Sequence, residues 1–136
     1  MAVTVTPVAD EIPIKLAIDT QANATAERDI FPGAGAKPFF WDIDNSNNAA
    51  EQYVKVYDNP DPTVGTTDPI AIFPATASTR ITYSLYEIDP ADDDDEEDTI
   101  DGLALVSALS MACVSGLGTS GTTSPTSSVT VRLQAF

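Results

Sequence analysis

Histidine is absent from this chain, cysteine occurs once, and only 6 of the 136 residues are Lys or Arg. Without histidine the commonest general base and the commonest metal ligand are missing. The hydroxyls of Ser107, Ser110 and the stretch Thr119 to Ser128 therefore cannot belong to a serine–histidine triad. Asp and Glu chemistry remains open. The single Cys113 excludes an internal disulfide and a cysteine-rich zinc site. It lies in the apolar stretch Leu109 to Val114, where it reads as a small buried hydrophobe rather than a nucleophile. The few cations stand against 21 acidic residues, a formal charge of -15. That balance opposes nucleic acid and anionic membrane surfaces, which both demand Lys and Arg. No apolar run approaches membrane-spanning length. Met1 to Asp10 lacks both positive charge and a continuous apolar core, so it does not read as a signal peptide, and a soluble, unexported chain is expected. Without a secretion signal, the glycan-acceptor pattern Asn23-Ala24-Thr25 is set aside. Gly116, Gly118 and Gly121 are not followed by Lys or an apolar helix, so no phosphate-binding loop is present.

What the chain does have is a rhythm of period two. Ile81, Tyr83 and Leu85 alternate with Thr82 and Ser84, and Val129, Val131 and Leu133 alternate with Thr130, Arg132 and Gln134. Successive strand side chains point to opposite faces, so this pattern describes strands with one face buried. The apolar share of 43% suits a globular chain, and the length suits one core. Strands are expected over Pro13 to Thr20, Pro38 to Asp44, Glu51 to Asp58, Pro69 to Phe73, Thr79 to Ile88, Gly102 to Val114 and Ser128 to Phe136. Gly102 to Val114 would also suit a helix, but its neighbours favour strand. Ala2 to Val8 reads as a strand or an extended arm, and Gln21 to Glu27 as a loop or one helical turn. Asn45 to Asn48 reads as a turn, and Asp29 to Lys37, Val64 to Asp68 and Gly116 to Ser128 read as loops. The expected fold is all-β: a single antiparallel β-sandwich, jelly-roll-like, of about seven to eight strands. An N-terminal arm over 1–12 precedes the sandwich domain over 13–136, loosely ordered or docked on a neighbouring subunit. The expected core is Trp41, Ile43, Val54, Val56, Ile72, Ile81, Leu85, Leu105, Val129 and Val131.

Three features invite a functional reading. The run at 92–98, DDDDEED, offers hard oxygens for calcium. Its spacing lacks the sharp-turn glycine of an EF-hand, and consecutive residues of an extended loop point apart. A solvated, exposed loop is the stronger reading, with an electrostatic contact to a basic partner as a third. Asp42 and Asp44 share a strand face beside Phe40, but neighbours two residues apart sit side by side, not across a substrate. They read as a wet sheet face. Among the aromatics Phe39, Phe40, Trp41, Tyr53, Tyr57, Tyr83 and Tyr86, those on the less apolar faces (Tyr53, Tyr57 and Tyr86) are the candidates for a partner surface. No residue is assigned a catalytic, cofactor-binding or metal-ligating role.

One ordered set of segments is familiar. Asp42-Ile43-Asp44-Asn45 is followed by Asn48 to Asp58, then by Pro62 to Pro69 and Ile72-Phe73-Pro74. Near the end stand Leu109 to Val114 and Gly121 to Pro125. From about Phe39 to Phe136 this order resembles small β-sandwich structural proteins of tailed bacteriophages. The acidic run at 92–98 departs from the resemblance, where a shorter turn is usual. The resemblance implies a non-enzymatic structural virion protein, a capsid decoration or cement subunit made in the host cytoplasm. Its partner would be the major capsid protein or another virion protein. Three-fold positions of a shell make a homotrimer the expected oligomer. The contacts are expected on the arm, on Asp29 to Lys37 and on Gly116 to Ser128. The alternative is a receptor- or glycan-binding module of a tail or head fibre; a lytic glycosidase fits least.

Overall fold

The computed structural model describes residues 3–9, 12–31, 36–85, 102–103 and 105–136. The acidic run and Tyr86 lie outside them. Nine strands and no helix are found among the described residues: β1 (Thr4–Ala9), β2 (Ile12–Ala22), β3 (Glu27–Phe31), β4 (Pro38–Asp44), β5 (Gln52–Asp58), β6 (Ala71–Ala75), β7 (Arg80–Ser84), β8 (Leu109–Val114) and β9 (Val129–Ala135). All pairings are antiparallel. Sheet A runs β1-β2-β9-β4-β7 and sheet B runs β3-β8-β5-β6. Apart from β1, the pairing is nested. β2 pairs with β9, β3 with β8, β4 with β7 and β5 with β6. The nest alternates between sheets, and β4–β9 and β5–β8 contacts close each sheet. The fold is an all-β sandwich.

The core lies where the period-two faces meet. Trp41 and Ile43 of β4 and Val129, Val131 and Leu133 of β9 are buried from one side. Val54 and Val56 of β5, Phe73 of β6 and Met111 and Cys113 of β8 are buried from the other. The Trp41 and Phe73 rings meet across the sheets with centroids 4.7 Å apart. Leu105, Val129 and Val131 are buried as expected, but Ile72, Ile81 and Leu85 are only half-buried. The reason is position. Ile81 lies on β7 at the edge of sheet A, so one flank lacks a neighbour, while Ile72 pairs with Lys55 and so faces outward from sheet B.

Three local expectations need correction. Glu27 to Phe31, assigned to flanking loops, forms β3, bent by a register shift and by Asp29 at φ 51. That irregularity hides the alternation. Among the described residues of Gly102 to Val114, only Leu109–Val114 is strand. The segment before it is a bend whose Val106 and Ser107 amides both donate to the Asp58 carboxylate, at 2.9 and 2.8 Å. The N-terminal residues are not a free arm: Thr4 to Pro7 pair in register with Ile18 to Lys15 of the same chain. On β2, Ile14, Leu16 and Ile18 do share a face, but Ala17 opposes Leu133 and both are fully buried. The larger apolar side chains of β2 therefore point away from sheet B, half-buried on the outer surface.

Candidate functional surfaces

The two outer faces differ in chemistry. On sheet A, the register aligns Ile18, Arg132, Asp42 and Thr82 in one row. The Asp42 carboxylate is only 8% exposed and is held between two guanidiniums. Arg80 donates Nε to it at 2.7 Å and adds a second, shorter bond from Nη2. Arg132 lies 3.6 Å away. The face read as wet is thus partly sealed at Asp42, because two arginines from flanking strands close over it. Asp44, one step along, accepts the Ser46 amide, and hydrogen bonds from Ser46 hold its carboxyl below the ordinary value. This cluster balances its own charge and opens no cleft between carboxylates.

On sheet B the outward residues of β5 were expected to be accessible. Tyr57 and Lys55 are instead fully buried. Tyr57 is therefore no partner-surface residue, and burial raises its phenol pKa. Tyr53 stays half-exposed, hydrogen-bonded to Glu51. The cover over Lys55 is the β8–β9 connection, residues 115–128, which contains the polar loop expected over Gly116 to Ser128. Lys55 Nζ donates to the backbone carbonyls of Thr119 at 2.8 Å and Gly121 at 2.7 Å. Burial lowers the Lys55 pKa, while two acceptor-only carbonyls favour the ammonium form. The connection is also tied to the 62–69 loop, where Thr119 Oγ1 donates to Asp68 at 3.0 Å and a Cβ on Gly65 would sit 2.4 Å from Thr122. At its far end Asn48 clamps Ser127, accepting the amide at 2.9 Å and donating to the carbonyl at 3.1 Å. Asn45 completes the corner by donating to the Ala75 carbonyl at 2.9 Å. No single-sequence signal marks Lys55 as buried; its opposite number Ala112, in a strand apolar on both faces, is the nearest hint.

Beside this corner lies a groove of about 310 Å³, lined by Gln21, Ala22, Asn23, Pro125, Thr126, Ser127 and Ser128. Its lining is neutral, of amides, hydroxyls and one proline. Cys113 is buried with its thiol pKa pushed up to about 12 by burial and then by Asp19, so it is inert as a nucleophile. Ser110 Oγ spends its proton on the Asn59 carbonyl at 2.6 Å, and Asp29 N donates to it at 3.1 Å. It is a structural bracket between β8, β3 and the end of β5. Among the described residues, no three or more Asp, Glu or Cys side chains converge on a point that would hold a metal. No family model, curated protein or solved structure matches this chain.

Proposed function

We propose that the protein is a structural subunit of a virion, decorating or cementing the head shell, and that it turns over no substrate. The observation that carries this reading is where the familiar segments lie. Asn45 and Asn48, Lys55, the 62–69 loop and the 115–128 connection all converge on one corner and outer face of sheet B. Their shared chemistry is backbone clamping. The ordered motif is thus a device for holding loops rigid, as a scaffold of repeated contacts requires, rather than a set of reacting groups. The nested pairing of β2 to β9 supports reading the sandwich as a jelly roll, an architecture used by capsid proteins and lectins alike. Rigid loops supply repeated weak contacts, which symmetry multiplies into avidity. The partner would be the major capsid protein or a neighbouring virion protein, with a trimer matching three-fold shell positions.

The test mixes purified protein with capsids lacking it. Saturable binding at symmetry-related sites and added heat resistance are expected. The groove beside Asn23 and Ser127 favours a second reading, a glycan-binding module, since hydroxyls and amides suit sugar hydroxyls. Binding to host-surface glycans with none to capsids would replace the first reading with the second.

A further inference from the structure

Among the described strands each sheet has two edges, and three of these four edges are interrupted. β1 carries Pro7 and a register shift between Pro7 and Ala9. β3 carries a register shift and Asp29 at φ 51. β6 carries Pro74. Prolines and bulges are the usual means of stopping an edge from pairing with another chain. β7 has neither. Its five residues, Arg80–Ser84, match β4 without a shift and contain no proline and no positive φ.

The phase of β7 is set by the bonds flanking it. Leu85 N donates to the Phe39 carbonyl at 2.7 Å and Asn45 N donates to the Thr79 carbonyl at 2.8 Å. Both belong to the β4–β7 register. Odd-numbered residues of β7 therefore exchange bonds with β4, and the N–H and C=O of Arg80, Thr82 and Ser84 point away from the sheet. β7 ends sheet A, so among the described strands none pairs with these groups.

We propose that β7 pairs antiparallel with β7 of a second copy about a two-fold axis at Thr82, joining the two A sheets into one. The strand is its own complement. Centred on Thr82, all three outward residues exchange bonds with outward residues of the copy; a shift of two residues would lose a pair. On the outer face Arg80 then stands opposite Ser84 of the second copy, so no like charges meet, and Arg80 is already paired with Asp42. On the inner face half-buried Ile81 meets Tyr83 of the second copy, an apolar pair suited to cross-strand packing. Short length and a net charge of -15 on each copy oppose association, so the dimer is weak at low salt and strengthens as salt screens the repulsion. This two-fold seam is independent of the proposed virion role and leaves the 115–128 connection free.

Sedimentation velocity of the full chain at submillimolar concentration, from low salt to about 0.5 M, reads the result through the Debye screening of the repulsion. A reversible monomer–dimer equilibrium that shifts towards dimer with salt is expected. Thr82→Pro removes an N–H that β4 does not use, on an edge strand where proline is tolerated, so it is expected to abolish the dimer and keep the β spectrum of the wild type. Thr82→Cys supplies a readout that does not depend on tolerating proline. The paired Cα atoms would lie about 5.5 Å apart, within disulfide range. Mild oxidation should give a covalent dimer from Thr82→Cys and none from Thr66→Cys, exposed on the β5–β6 connection of the other sheet. A wild type that stays monomeric at every salt concentration overturns the proposal, as does a dimer that survives Thr82→Pro. If Thr82→Pro loses its fold, the cysteine variants decide: crosslinking at 82 supports the seam and its absence overturns it.

Discussion

Sheet A and sheet B are built from the same alternation, yet their outer faces end in opposite states. Outward from sheet A, Arg80, Thr82 and Ser84 are exposed, and Leu16, Ile18 and Phe40 are half-buried. Outward from sheet B, Lys55, Tyr57, Ser110 and Val114 are buried as deeply as the core. The difference is made by loops. Residues 115–128 return across sheet B and are held by Lys55, Asn48 and Thr119. A strand pattern says which side chains share a face. Which face meets water depends on where a long connection comes to rest, and a polar residue can be buried where backbone carbonyls receive it.

The strongest way to break this contrast is to remove Lys55. Lys55→Ala leaves a cavity and strands two carbonyls, and we expect a loss of about 3 kcal/mol in urea unfolding. Lys55→Met keeps most of the stem and should lose less, which isolates the hydrogen bonds from the packing. Thr82→Ala, on the open face, should stay within about 0.5 kcal/mol of the wild type. Equal losses at 55 and 82 would erase the distinction between the faces. Next in size is Gly121→Ala. A Cβ there would sit 2.3 Å from the Gly116 carbonyl oxygen, and backbone cannot step aside as a flexible side chain can. We expect a loss of about 2 kcal/mol, with faster amide exchange at Ser115, whose N–H donates to the Thr123 carbonyl within the same connection.

The sealed carboxylate on sheet A should respond more weakly. Asp42→Asn keeps an acceptor but leaves Arg80 and Arg132 facing each other without the charge between them. The Arg80 side chain is 57% exposed, so solvent already screens much of the pair. We expect a loss of about 1 kcal/mol, shrinking as salt rises. A loss matching that of Lys55→Ala would mean the two outer faces are equally sealed.

How far the residues themselves disclosed this arrangement depends on the strand. β4, β5 and β9 are legible because regular alternation and clear turn chemistry bound them. Trp41, Ile43, Val54, Val56, Val129 and Val131 are buried as their period implies. β3 is not legible, because a bulge and one left-handed aspartate break its period. β8 is buried on both faces, and its run LSMACV reads equally as strand or helix by periodicity. The surfaces were harder still. Asp42 and Lys55 are buried by partners more than twenty residues away in sequence, and a local pattern carries no record of such partners. The turn asparagines are the exception: Asn45 and Asn48 read as turn residues, and as turn residues they do cap distant loops.

The smallest expected effect sharpens the contrast from inside. Asp19 faces the core from β2, opposite Val131, and is 1% exposed. Burial raises its pKa, and the Gln21 amide at 2.9 Å offsets this only in part. Glu27 is raised too, by burial first and then by the charge of Asp19. A carboxyl whose folded pKa exceeds its unfolded value binds protons more tightly when folded. Its ionised form therefore costs stability above the folded pKa, and that cost fades as pH falls towards the ordinary value of 3.8. Asp19→Asn removes the charge and keeps an oxygen to accept the Gln21 amide. We expect a small rise in Tm at pH 7 and no rise near pH 3, where the wild-type carboxyl is largely protonated in both states. Thermal unfolding of the two proteins across that range checks the sign. A gain that persists unchanged at pH 3 would assign the effect to packing rather than to charge; a loss at pH 7 would mean that the ionised carboxylate stabilises the inner face of sheet A.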